Sequence, residues 1–133
     1  MIAVFDTNVL VAAIITEGVC SKLLGRARTR EFFLASCPFI MTEIQRILSR
    51  KFRLPKEEIV LSMEPIKEAI SQIFEPACKI DNICRDADDD NILVCALTAK
   101  ADYIVTGDAD LLEIKNFRGI EILTPRDFEL QFV

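Results

Sequence analysis

Carboxylates carry most of the chemistry open to this chain, because its 133 residues include 21 Asp and Glu and no histidine. The absence of imidazole removes Ser-His-Asp and Cys-His nucleophile systems, histidine-based phosphoryl chemistry and most transition-metal sites. Four acids stand out by position: Asp6, Glu43, Asp90 and Asp108. Two unit charges about 4 Å apart repel by about 4 kcal/mol at an effective dielectric of 20, so gathering four of them calls for a cation. Oxygen ligands without imidazole or thiolate select a hard ion, which points to Mg²⁺ or Mn²⁺.

The elements that must gather these acids are readable as alternating strands and helices. Asp6 follows the apolar run Ile2–Phe5, and Asp108 follows a β-branched run at 103–106 after one glycine. Further strands are expected at 32–35, 78–80 and 120–123. Helices are expected after Asp6, over Val19–Arg28, from Pro38 to about Arg50, from Pro55 to Phe74 with Pro65 as a kink, from Asp88 to Ala99, and after Pro125. This alternation predicts an α/β fold of three layers, α/β/α, with a mostly parallel central sheet of four to five strands in one domain over 1–133. In such a sheet, ligands bind outside the carboxyl ends of the strands, which puts Asp6 and Asp108 on one rim.

The helical acids are placed by angle. Measured from Asp90, Leu93 lies at about 300°, Val94 at about 40° and Leu97 at about 340°, which sets Asp90 in the middle of an apolar stripe. Glu43 falls at the border of the stripe formed by Ile40, Ile44 and Ile47, about 40° from Ile47. A charge on a buried face is costly unless it is paired or metal-bound. Asp6 could also cap the first helix, Asp88 and Asp89 read as caps or loop acids, and Asp110 as a cap or an accessory to the site. Thr7, Asn8 and Thr106 could orient ligands or waters, or simply form turns.

Charge is uneven along the chain. The formal net charge is -5, yet residues 22–56 carry nine Lys and Arg against Glu31 and Glu43. A basic face beside an acidic site is compatible with a polyanion held by its backbone, as it is with solvated helix faces. The five cysteines lie in apolar segments without a C-x-x-C pair, as reduced core thiols do. No apolar run approaches the roughly 18 residues of a membrane span, and the N-terminal stretch lacks the basic segment of a signal peptide. A soluble, cytoplasmic protein with no membrane contact is expected.

Four blocks in this order carry a family resemblance: D-T-N-V at 6–9, the S-x-P-x-x-x-x-E stretch from Ser36 to Glu43, R-D-A-D-D-D-N at 85–91, and A-D-Y-I-V-T-G-D-A-D-L-L at 101–112. Over essentially its whole length the chain resembles PIN-domain ribonucleases, nearest to the VapC-like toxins of prokaryotic toxin-antitoxin systems. The resemblance implies Asp6, Glu43, Asp90 and Asp108 as the acidic quartet, with Asp110 as an accessory. The run Asp88, Asp89, Asp90 leaves the register of the third acid open, and the apolar periodicity and the following Asn91 favour Asp90. It also implies a Rossmann-like sheet, Mg²⁺ or Mn²⁺ dependence, single-stranded RNA as substrate, a cognate antitoxin and a homodimer.

The expected reaction is in-line hydrolysis that leaves a 5′ phosphate and a 3′ hydroxyl, since the cyclic-phosphate route commonly uses histidine. Two other readings compete. A phosphatase of the haloacid-dehalogenase type also begins with an Asp after the first strand, but needs a second acid where this chain has Asn8. A catalytically inactive PIN-like scaffold could bind RNA or protein without cutting.

Overall fold

The computed structural model describes residues 1–76 and 87–132. The chain runs β1 (Ile2–Phe5), α1 (Thr7–Ile15), α2 (Val19–Arg28), β2 (Phe33–Ser36), α3 (Pro38–Arg50), α4 (Lys56–Ala69), β3 (Gln72–Ile73), α5 (Ala87–Ala99), β4 (Tyr103–Val105), α6 (Ala109–Ile114), β5 (Asn116–Phe117), β6 (Ile120–Leu123) and α7 (Pro125–Glu129). The sheet has six strands in the order β3-β2-β1-β4-β6-β5. All neighbouring pairs are parallel except β5 with β6. The expected α/β fold is thus present, widened by a two-residue strand at each edge.

This order locates the binding end of the sheet. From β1 the chain steps to β2 and then β3 in one direction, and later from β4 to β6 in the other. Right-handed crossovers place α1 to α4 on one face and α5 and α6 on the opposite face. The reversal falls between the adjacent strands β1 and β4, and the crevice beyond their carboxyl ends is where such sheets take ligands. Asp6 and Asp108 follow those two ends.

Buried apolar side chains hold the layers together. Val4, Phe5, Leu34 and Ile104 are fully buried in the sheet, with Leu23, Ile40, Ile44, Leu48 and Ile66 from the helices of the first face. Phe5, Phe32, Tyr103, Phe128 and Phe132 form an aromatic cluster, with Phe128 edge-on to three of its neighbours. Cys37 and Cys95 are buried in the core and Cys20 is half-buried, none of them bridged. Cys78 and Cys84, and the strand expected at 78–80, lie outside the described residues.

Two elements differ from expectation. α4 ends at Ala69 rather than Phe74, because Ile70 turns extended and the next residues pair with β2. Ser71 N–H donates to Leu34 O at 2.8 Å and Phe74 N–H to Ser36 O at 2.8 Å, so an open sheet edge outcompetes further helix. Arg118 and Gly119 both have positive φ, 52° and 89°, the pattern of the tight turn that joins antiparallel strands with right-handed twist. That turn folds β5 back on β6, with Phe117 opposite Ile120.

Candidate functional site

A cavity of about 120 Å³ opens at the reversal point of the sheet, and its wall includes Asp6, Glu43, Asp88, Asp89 and Asp108. Thr7, Asn8, Phe39, Ile47 and Ile92 also line it, so among the described residues no Lys or Arg does. Each contributor is positioned by ordinary local structure. β1 ends as Asp6 N–H donates to Val105 O at 2.9 Å, which ties the first acid to the neighbouring strand. Asp6 then precedes α1 without the usual side-chain capping bond.

Instead the Asp6 carboxylate accepts from Thr106 Oγ1 at 2.7 Å, in a fully buried contact. Thr106 Oγ1 in turn accepts from Asp108 N–H at 3.0 Å. One hydroxyl therefore fixes two of the acids relative to each other. Burial pushes the Asp6 carboxyl above its ordinary range; the Thr106 bond and the amides of Thr7 and Asn8 oppose this, while the charge of Asp108 adds to it. Asp108 caps α6 by accepting from Asp110 N–H at 2.9 Å through one oxygen.

Glu43 enters from α3. Phe39, Glu43 and Ile47 are four residues apart, so they form one stripe along that helix, and all three line the cavity. Glu43 also forms an ion pair with Arg46, one turn on. The carboxylate is therefore in the expected place but already neutralised by a partly exposed guanidinium.

The third acid is where the geometry departs from expectation. Asp88 and Asp89 line the cavity with Ile92, whereas Asp90 does not. Asp90 is two residues from Ile92, about 200° around the helix, which turns it to the far side. The apolar stripe does not single out one side, because α5 is buried nearly all round: Ile92, Leu93, Val94, Cys95 and Ala96 are each at most 6% exposed. Asp90 itself is buried and Asp88 exposed. The signal that could have found Asp89 was its spacing of three from an inward apolar residue, a spacing shared by too many positions here to choose.

Asp89, Asp108 and Asp110 each offer a carboxylate oxygen within 4.8 Å of the others. A six-coordinate Mg²⁺ ion at bond lengths of about 2.1 Å holds neighbouring oxygens about 3.0 Å apart and opposite ones about 4.2 Å apart, so this trio would have to draw closer to share one ion. An all-oxygen, histidine-free donor set fits that ion class. Asp110, an accessory on sequence grounds, thus joins Asp89 and Asp108 in a close acid group. Thr7 and Asn8 line the wall beside Asp6, and Thr106 lies behind it.

Residues 3–110 match the PIN domain family. The chain is 31% identical to the uncharacterized protein MJ1680 of Methanocaldococcus jannaschii, over 97% of this chain and 90% of that protein. Its fold is similar to a chain in the crystal structure of VapBC2 from Rickettsia felis bound to a DNA fragment from their promoter, with a TM-score of 0.65 and 17% identity over 92% of this chain and 97% of that one. The matched region contains Asp6, Glu43, Asp89, Asp108 and Asp110 together with the sheet reversal that gathers them, and the chain belongs to the PIN-domain family.

Proposed function

We propose that this PIN-domain protein is a metal-dependent endoribonuclease that hydrolyses single-stranded RNA in the cytoplasm. The observation that carries the reading is the acid-lined cavity, whose Asp89 and Asp108 carboxylates lie within 4.8 Å of each other and of Asp110, with no Lys or Arg on the wall among the described residues. Asp89 and Asp108 would hold Mg²⁺ or Mn²⁺, with Asp6 and Asp110 beside them. A divalent ion bound to such residues supplies a water that ionises near neutral pH and neutralises charge on the phosphate.

The protein's own groups account for the rest. Thr106 holds the Asp6 carboxylate in orientation through its hydroxyl proton. Glu43, released from Arg46, orients the attacking water and accepts its proton. The water oxygen bonds to phosphorus in line with the P–O3′ bond, which breaks; the 3′ oxygen leaves and takes up a proton from solvent. The products are a 5′ phosphate and a 3′ hydroxyl.

The likeness in fold to a VapBC2 chain supports the further reading of a toxin held in check by a cognate antitoxin. One observation favours the inactive scaffold: the Arg46 pair neutralises Glu43. A haloacid-dehalogenase-type phosphatase finds no support, since Asn8 occupies the place of its second acid. Cleavage of a mixed RNA pool with Mn²⁺, with EDTA and Asp6→Asn as controls, decides. The nuclease reading expects cutting by wild type alone and only with metal. Equal cutting with EDTA, or none at all with metal present, contradicts it.

A further inference from the structure

A second and larger hollow lies along another side of α3. It has a volume of about 560 Å³ and is lined by Thr42, Gln45, Arg46, Arg50, Lys56 and Ile59, among others, from α3 and the start of α4. The helix is thus two-sided: Phe39, Glu43 and Ile47 face the acid cavity, while Thr42, Arg46 and Ser49 face this groove. The two hollows are separated by one helix diameter, about 10 Å.

The groove is electropositive for a structural reason. Arg50, Lys51, Arg53 and Lys56 are exposed, and none of them forms an ion pair among the described residues. Glu57 and Glu58 follow in the first turn of α4 but do not line the groove. Clustered unpaired cations repel one another and favour a polyanion that releases its counterions. At the turn between α3 and α4, Phe52 is 39% exposed with the Lys51 ammonium 5.8 Å from its ring centroid. An exposed ring beside cations suits base stacking, which an acidic peptide would leave unused.

We propose that the α3–α4 groove binds the sugar-phosphate backbone of a single-stranded nucleic acid through Arg50 and Lys56, with Phe52 stacking on a base at its end. The substrate class rests on the nuclease reading above, and the strand reaches the acid cavity across α3, where Arg46 touches both the groove and Glu43. Arg46 is left unchanged in the test for that reason.

The test is fluorescence anisotropy of a labelled single-stranded RNA with intact protein in EDTA, over a range of salt concentrations. Arg50→Ala with Lys56→Ala should weaken binding about ten-fold at low salt and reduce the slope of log K against log salt by about 1.4, as expected for two lost phosphate contacts. Phe52→Ala should weaken binding by about ten-fold with the slope unchanged. Lys67→Ala with Arg126→Ala, the same loss of charge elsewhere on the surface, should leave binding as in wild type. The proposal is overturned if the groove pair binds like wild type, if the control pair loses as much, or if polyglutamate of matched charge displaces the strand as well as unlabelled RNA does. Because binding is read without metal, a protein that binds through the groove but never cleaves keeps this site and loses the nuclease reading. Cleavage with an unchanged KM in the groove pair does the reverse.

Discussion

Thr106 shows how much of the site depends on a residue that cannot itself be a good ligand for the reaction. Its hydroxyl donates to Asp6 and accepts from the Asp108 amide while fully buried. Thr106→Val keeps the shape but leaves both partners unsatisfied. Loss of a group that orients ligands typically costs about 10- to 100-fold in metal affinity, and that is the fall expected in a Mn²⁺ titration by calorimetry. Unchanged affinity would remove Thr106 from the site. Asp6 yields a prediction with a definite sign. Its carboxyl is raised in the folded protein, so its contribution favours folding while it is protonated and is lost as pH rises through the raised value. Without metal, Asp6→Asn should therefore melt higher than wild type at pH 7, and the advantage should shrink as pH falls through the raised value and be gone below the ordinary Asp range. An advantage that grows toward acid would reverse the assignment. Asp6 and Asp108 were legible in the sequence because a strand end names its own rim. The register within Asp88, Asp89 and Asp90 was not, since periodicity orients a helix only when one side faces water, and α5 is enclosed. Asp89→Asn should accordingly cut Mn²⁺ affinity by at least about ten-fold, an effect of the size seen when site residues are lost, while Asp90→Asn should spare it.

At the scale of elements, the helices are fixed by contacts that sequence patterns do not register. α2 and α7 are clamped by Arg26, whose guanidinium donates twice to Glu129, at 2.7 and 2.8 Å, while Lys22 approaches the same carboxylate at 3.2 Å. The Arg26 bonds, and Lys22 after them, hold the Glu129 carboxyl down to about 2. A depressed carboxyl stabilises the fold above its ordinary value of 4.5, and that contribution is lost as pH falls through about 2. Glu129→Gln should lower the melting temperature at pH 7, and the difference from wild type should close toward pH 2. A pH-independent difference would mean that packing, not charge, is lost. The same blindness to distant contacts explains one element misread in extent and another that sequence patterns do not show. Ile59, Met63 and Ile66 repeat at helical spacing, and Ile70 and Phe74 continue it, yet the chain leaves the helix at Ile70 to pair with β2. β5 is two residues long and exists because Arg118 and Gly119 turn it onto β6. Neither strand is long enough to show alternation.

Across the whole molecule, the alternation of strands and helices was enough to read the fold class, and the fold class was enough to name the rim. The strand order supplies what that reading lacked: the reversal between β1 and β4 that brings acids from both sides of the sheet to one cavity. Such a cluster stores repulsion in the folded state, which a bound cation relieves. Mg²⁺ or Mn²⁺ at about 100 times its dissociation constant should therefore stabilise the native protein by about 2.7 kcal/mol, visible as a rise in melting temperature that EDTA abolishes. The most direct test of the gathered carboxylates is an anomalous difference map from crystals grown with Mn²⁺. The expected result is a peak about 2.1 to 2.2 Å from carboxylate oxygens of Asp89 and Asp108, with Asp6 or Asp110 close by. A map with no peak in this cavity, or with manganese bound at Asp90 instead, would contradict the account.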